Sequence, residues 1–422
     1  MTAASQFPSH GLGRHDRARM VGLAPQVAVW VTLVILSGAL LPLMAASGGA
    51  LDDRARGLLR LGVLPIYATT LILALRHADA VARSLLRSLP LLALVALQFA
   101  TVLWSISPGT SLRRAVALAM TLILSHVLAV VFTPRQLLWL VASALGACMV
   151  ASLAMMALSP SLAFVPGDGA LRGIYLNKNV FGWSAGIATV AGVMLACDRG
   201  GDRRRQGAVI AGLGAVCLGL SQSSTSLVAA VAALVVAGFF VALGRARGLG
   251  RALMLVSFIV AAGMMLAFLG LLLVPLLDAL GKDATLTGRV PMWQLIDARI
   301  AERLWLGHGY QAFWTPGSDP AWTIWSQIGW HSPHAHNGYR DILLGSGVAG
   351  LVLAAWTMQR TLRHAARLSL LRPMQGWLWP NAFLAQVLVL NLTESTLVAQ
   401  NDLQWILTGT IVALCANHDR RA

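Results

Sequence analysis

Long apolar runs, separated by short breaks rich in arginine, dominate this chain. A window of about 19 residues slid along it marks roughly twelve candidate membrane spans. They are centred near Val34, Tyr67, Val95, Leu124, Leu145, Ala188, Gly214, Ala232, Met264, Leu351, Ala385 and Thr410, and those near Val95 and Gly214 are short or interrupted. In lipid each backbone polar group has to be satisfied inside its own segment, so such runs predict helices. The expected fold class is all-α, a polytopic transmembrane helical bundle. Its expected organisation is nine spans with short loops over residues 1–277, a large loop over 278–338, and three more spans over 339–422. No internal repeat is evident, which argues against a transporter built from paired halves.

The polar positions gather in two loops, about Ser159–Asn179 and about Asp278–Asn337. The second holds Trp293, Trp305, Trp314, Trp322, Trp325 and Trp330 together with His308, His331, His334 and His336. Within it, Pro291 stands at a helix start, and Trp293, Ile296, Ile300 and Leu304 follow at spacings of three and four. That single apolar face predicts a helix lying on the membrane interface. Arg289, one turn before Trp293, would be carried toward the headgroups.

Composition excludes a soluble protein: 57% of the 422 residues are hydrophobic, 11% are charged, and the mean hydropathy is +0.71. The net charge of +16 is almost wholly arginine, with Lys178 and Lys282 the only lysines. The basic residues form short clusters between apolar runs rather than one face, which speaks against nucleic acid and for membrane lipids as partners. If the N-terminus is cytoplasmic, alternate loops carry Arg76/Arg83/Arg87, Arg199/Arg203/Arg204/Arg205, Arg245/Arg247/Arg251, Arg360/Arg363/Arg367/Arg372 and Arg420/Arg421. With Arg14, Arg17, Arg19 and Arg135 these make 20 of the 32 basic residues, which selects an N-in, C-in topology with both long loops outside. The first run, from about Pro25 to Ala46, is longer than a signal-peptide core and reads as a retained anchor, although Ala45-Ala46-Ser47 leaves cleavage open. Cys148, Cys197, Cys217 and Cys415 show no CxxC spacing and indicate neither a disulfide framework nor a thiolate metal site.

Candidate chemistry begins at His331-Ser-Pro-His334-Ala-His336-Asn337-Gly338, which leads directly into an apolar run. An imidazole at this depth, where headgroups meet water, is suited to accept a proton from a hydroxyl. The HxxHxH spacing raises zinc, but no Cys, Asp or Glu is near enough in sequence to complete or orient the set, so no metal is expected. Interfacial hydrogen bonding is the default for His331 and His334. The isolated acids Asp168, Asp278, Asp283, Asp297, Glu302 and Asp319 read as solvated surface. Glu394, Asp402 and the mid-span His126 are ambiguous, with packing and helix-end solvation the simpler accounts.

Several strings then agree in order. His336-Asn337 precedes Gly347-Val-Ala-Gly350 by nine residues. Trp104-Ser105-Ile-Ser107-Pro108 with Ser111-Leu-Arg113-Arg114, Arg172-Gly173-Ile-Tyr175-Leu-Asn177-Lys178-Asn179, Ser221-Gln-Ser223-Ser224-Thr225, Gly288-Arg289-Val-Pro-Met-Trp293 and Leu306-Gly307-His308-Gly309-Tyr310 complete the set. Together they resemble the O-antigen ligase and polymerase superfamily of membrane glycosyltransferases, over roughly residues 105–350; the arginine often found in the serine-rich step is missing here. The resemblance implies a GT-C-like enzyme of the bacterial inner membrane with a periplasmic active site. Its donor would be a glycan on undecaprenyl diphosphate, its acceptor lipid A-core oligosaccharide, and its transfer inverting, without metal or cofactor. It also implies roles. Arg172 and Arg289 would grip the diphosphate, since a guanidinium binds phosphate oxygens in a fixed fork and stays charged. His336 would deprotonate or orient the acceptor hydroxyl. Lys178, Asn177, Asn179, Tyr310, Asn337 and His334 would contact substrate, as would Arg113 and Arg114, for which snorkelling to headgroups is the alternative. A polymerase, a protein O-oligosaccharyltransferase and, outside this class, a lipid-linked glycan flippase are the competing readings.

Overall fold

A computed structural model describes residues 22–39, 53–198, 201–267, 289–372 and 375–418. Arg14, Arg17, Arg19, the Ala45-Ala46-Ser47 triplet, Arg199, Lys282, Gly288, Asp278, Asp283, Arg420 and Arg421 lie outside the described residues. The first half contains α1 (Leu23–Leu36), α2 (Asp53–Arg76), α3 (Ala78–Arg87), α4 (Leu89–Ala100), α5 (Pro108–Val131), α6 (Pro134–Leu158), α7 (Pro160–Ala163) and α8 (Lys178–Cys197). The second contains α9 (Arg204–Leu220), α10 (Ser224–Arg245), α11 (Gly248–Ala267), α12 (Arg289–Glu302), α13 (Asp319–Ile328), α14 (Gly338–Leu371), α15 (Leu378–Leu390) and α16 (Leu403–His418). Among the described residues the sole β pairing is an isolated bridge between Phe164 and Leu171.

Each of the twelve hydropathy centres falls within a helix. Length and composition are sufficient for a membrane crossing in five of the described helices, α5, α6, α8, α10 and α14. A sixth arises if α2 and α3, bent by 96° at their junction, make one span. The helices α1, α4 and α15 are apolar but shorter, and α4 is extended by a 3-10 turn over Thr101–Leu103. Leu253, Val256, Ile259 and Val260 on α11, and Leu227, Val231 and Val235 on α10, are exposed, as suits lipid-facing surfaces. This is a multi-pass membrane protein.

Helix starts follow local chemistry. At α6, Thr133 and Gln136 form a capping box with Pro134 at the first turn. Asn177 caps α8 by accepting the Val180 N–H, and Asn337 caps α14 by accepting those of Tyr339 and Arg340. The two ends of the bundle differ in character. One gathers Arg135, Asp198, Arg203 and Trp379, where Arg135 forks Asp198 at 2.6 and 3.1 Å and Arg203 lies over Trp139. The other gathers the starts of α8, α10, α14 and α16 with helices α12 and α13.

The apolar face of α12 departs from expectation. Met292, Ile296 and Ile300 are buried, and they pack with Phe313, Ile324, Trp325 and Leu344 in a small core of their own. The face reads as interfacial in sequence because protein and lipid demand the same periodicity; its partner is supplied by residues 313–344.

A break inside α14 organises this end. Gly347 has φ +63 and ψ −162, which frees backbone groups on both sides. The turn-rich stretch Leu304–Gly309 takes them up: His308 and Gly309 donate to the carbonyls of Leu344 and Gly345, and Val348 and Ala349 donate to those of Leu304 and Trp305. Non-helical backbone at membrane depth is tolerated when its polar groups find such partners. The approach is so close that a Cβ on Gly347 would lie 2.3 Å from the Trp305 carbonyl carbon, and one on Gly307 would lie 2.7 Å from that of Gly345. Residues 101–111 hold the stretch from its other side, through Tyr310 N–H to Thr101 Oγ1, Ile106 N–H to the His308 carbonyl, and Ser111 Oγ to the Tyr310 carbonyl.

Replacing Gly347 with alanine adds both a backbone clash and an unfavourable φ, and should destabilise the protein by roughly 2–4 kcal/mol. Gly212, in α9 with nothing within 4 Å of its added Cβ, is the control. Thermal denaturation in detergent should show a large loss for Gly347→Ala and little change for Gly212→Ala; equal midpoints would refute this account of the break.

Candidate active site

Glu394 lies in the turn between α15 and α16 and is 3% exposed. Three segments distant in sequence converge on it. Asn179, in the first turn of α8, donates from Nδ2 to Oε1 at 3.1 Å. Arg289, the first residue of α12, places Nη2 3.2 Å from the same oxygen. His336 places Nδ1 3.7 Å from Oε2. A carboxylate this far from water has to be matched by charge and hydrogen bonds, and the guanidinium, the amide and the imidazole supply the match.

Backbone architecture brings these groups together. The Asn337 N–H donates to Ser395 Oγ, its Nδ2 to the Leu392 carbonyl, and the Gly338 N–H to the Asn391 carbonyl. Residues 337–338 are thereby tied to 391–395, and His336 arrives beside Glu394. Helix α12 is fixed against the same corner by Trp293 Nε1 on the Ala335 carbonyl and by Arg340, which forks Asp297 at 2.7 and 2.9 Å while lying over the Trp293 ring. Both Asp341 oxygens accept the Ala335 N–H, and Oδ1 also accepts Trp314 Nε1. Thr225, from the serine-rich step, receives a hydrogen bond from Thr393 next to Glu394.

His336 itself has φ +48, a region that non-glycine residues rarely occupy and that concentrates at functional sites. Its backbone N–H donates to His334 Nδ1 at 3.2 Å, and the two rings meet edge-on with centroids 4.1 Å apart. The Trp330 ring is also near, 5.8 Å away between ring centroids. Among the described residues Nδ1 of His336 is buried without a hydrogen-bond partner. The gap to Glu394 is one that a movement of under about 1 Å would close. Burial pushes the His334 pKa down to about 3, helped by His336 and Arg289 beside it.

His334, His336 and Glu394 present ligand atoms within 4.8 Å of one another, a spacing that suits a metal ion. The sequence argument that no carboxylate completes the histidine set is therefore corrected: Glu394 does so across the fold. Against coordination, Arg289 and Asn179 already occupy Oε1, and His334 Nδ1 already accepts the His336 N–H.

The other expected contacts are placed as follows. Arg172 is half-buried in the loop leading to Asn179, where its guanidinium donates to the Leu162 and Leu176 carbonyls rather than to Glu394. Lys178 pairs with Asp168. Asn177 and Asn337 spend their side-chain oxygens on helix caps. Arg113 is exposed, whereas Arg114 holds the Gln311 carbonyl and side chain. Tyr310 is buried, its hydroxyl bonded to the Val398 carbonyl and Gln400. Asp168, Asp297 and Glu302 are at the surface, but each joins an ion pair.

Residues 209–355 match the family model described as O-Antigen ligase. Over this segment the chain is similar to that family. The segment holds Arg289, His336 and the break at Gly347, while Asn179 and Glu394 lie outside it. The chain is also 31% identical over 271 residues to the exopolysaccharide production protein ExoQ of Rhizobium meliloti (strain 1021). That match takes in 60% of this chain and 59% of the relative, so the chain spans less than two thirds of the length of the protein it matches.

Folding holds His334 neutral, with a pKa well below its ordinary 6.5. The unfolded chain binds that proton first, so stability should be intact above 6.5 and decline as pH falls toward 3. Thermal midpoints recorded between about pH 7 and pH 4 should fall less steeply in His334→Gln than in the parent; parallel curves would contradict the assignment.

Proposed function

We propose that this protein is an O-antigen ligase: it transfers a glycan from undecaprenyl diphosphate to a hydroxyl of lipid A-core oligosaccharide, at the periplasmic face of the bacterial inner membrane. The observation carrying this reading is the meeting of Arg289 and His336, both within the family segment, on one buried carboxylate. Charge statistics support the orientation, because the arginine clusters on the described ends of α2, α3, α9, α10, α11 and α14 belong to the end of the bundle away from Glu394 and would face the cytoplasm. About twelve crossings with both termini inside remains the topology most consistent with them.

The reaction assigns each group a step. The acceptor hydroxyl approaches the imidazole nitrogen of His336 that faces away from Glu394, and its proton passes to that nitrogen as the oxygen bonds to the anomeric carbon. The bond from this carbon to the diphosphate breaks, and its electron pair leaves with the polyprenyl diphosphate. Glu394 orients the ring through Nδ1 and stabilises the imidazolium that forms. Arg289 bears on the charge growing on the leaving group, and Arg172, one loop away, is the second candidate for that task. Asn179 holds Glu394 in place, with Lys178, His334 and the outer aromatic residues flanking the substrate path. The transfer proceeds by inversion and without metal in this reading.

A polymerase that adds the glycan to a second lipid-linked unit is the alternative reading, favoured by the name of the exopolysaccharide relative. Purified protein given lipid-linked glycan and either core lipopolysaccharide or a second repeat unit separates the two: product on the core lipid is expected, and lengthened glycan alone would select the polymerase. Chelator should leave the rate unchanged, whereas its abolition would install a metal at the His334, His336 and Glu394 cluster. His336→Ala and Arg289→Ala should each lower kcat/KM by about 10²–10⁴. Full turnover by either would remove that residue from the site.

A further inference from the structure

A cavity of about 290 Å³ opens beside the Glu394 cluster and is not used by the transfer chemistry above. It lies between the end of α1, the first turns of α8 and the start of α16. Its size is near the lower end of small-molecule sites, about 300 Å³. Trp183, one turn along α8 from Asn179, forms one wall and is half-buried. Ser37 and Ser184 lie nearby, and Gln400, Asp402 and Gln404 form the opposite wall.

Gln404 carries the argument. It is 2% exposed, its Oε1 accepts from Thr396, and its Nε2 is a buried donor with no partner among the described residues. Buried donors are left unmet so rarely that each asks for an explanation, and an absent ligand is one. Asp402 stands at the same wall, with Oδ1 spent on the Trp405 N–H at the start of α16. Burial raises its carboxyl to about 7, so near neutrality it is equipped both to donate and to accept. Val398 and Asn401, on either side of Gln400, both hold left-handed backbone conformations. Asn401 is fixed there by Tyr67 and Thr121, so the wall is rigid before any ligand arrives.

An indole, a carboxyl and a carboxamide whose unmet donor lies just behind the wall, around a ring-sized space, are complementary to a pyranose: its C–H face would stack on the indole and its hydroxyls would meet the polar wall. We propose that this cavity binds one sugar ring of the saccharide handled at Glu394 and so sets how the glycan is registered against the reacting linkage. The proposal rests on the glycan-transfer reading. The same chemistry serves a ring of the donor glycan or of the acceptor, and the choice of probe separates them.

The test uses the full chain in lipid nanodiscs, with two delipidated probes: the repeat-unit oligosaccharide and the core oligosaccharide, each released by mild acid from the surface polysaccharides of cells that make this protein. Saturation-transfer NMR and titration calorimetry report binding without turnover. Trp183→Ala and Gln404→Leu should each weaken one probe by about tenfold or more and raise its KM in transfer by a similar factor, with kcat within about twofold. The probe affected names the source. Gln404→Leu removes the unmet donor but also the acceptor of the Thr396 hydroxyl, so its thermal midpoint is recorded with its affinity: lost binding at an unchanged midpoint is not a folding defect, and half-buried Trp183 carries the test where the midpoint falls. Unchanged affinity for both probes in both variants, or no binding of either probe by the parent, overturns the proposal. Transfer at unaltered KM in the variants sinks the cavity while leaving the transferase reading intact. Binding through Trp183 and Gln404 without any transfer keeps the cavity and sinks the transferase reading.

Discussion

One buried negative charge sets the arrangement of this end of the molecule. Glu394 is nearly inaccessible, and an isolated carboxylate there would be strongly disfavoured. Its two oxygens recruit Asn179 from the start of α8, Arg289 from the start of α12 and His336 from the approach to α14. Each of these groups sits at or just before a helix start, and the caps Asn177 and Asn337 fix the backbone beside Asn179 and His336. One ordered guanidinium and one imidazole beside a single carboxylate are the preorganised groups on which the proposed transfer rests.

The broken helix α14 makes that arrangement possible. Its segment before Gly347 carries Asn337, Arg340 and Asp341, which tie the histidine stretch to the 391–395 turn, to α12 and to Trp314. The Leu304–Gly309 stretch satisfies the break and is clamped in turn by residues 101–111. The Leu306-Gly-His-Gly309 string, Gly347 and the Ser105–Ser111 region are thus parts of one backbone junction, and substrate contact is not needed to explain them. His308 belongs to that junction too, with its ring nitrogen on the Arg299 carbonyl.

Periodicity alone made much of the fold legible, because helices of this length and apolarity leave the backbone few other ways to satisfy itself. Crossings were less legible than helices: α4, α9 and α15 are short, and α2 turns sharply into α3. Arg289 and His336 stood out because rare polar residues stand out in an apolar chain. Asn177 and Asn337 stood out for the same reason, yet they cap helices, a role legible from their place just before apolar runs. Glu394 was the residue that sequence undervalued. It is a lone acid between two hydroxyl residues, and its partners are named only by the fold; the available signal was its position at a span end, where ionisable groups are functional by default. Arg172 was read into the same cluster from its motif, whereas its guanidinium is held by carbonyls of its own loop.

The central claim, that Glu394 orients His336 for proton transfer, is tested most directly by steady-state transfer kinetics of Glu394→Gln in protein whose thermal midpoint shows it folded. The amide keeps the shape and the bond to Asn179 but removes the charge facing the imidazole. A fall in kcat of about 10²-fold with KM little changed, and a displaced pH profile, are the expected result. Turnover equal to the parent at every pH would contradict the account.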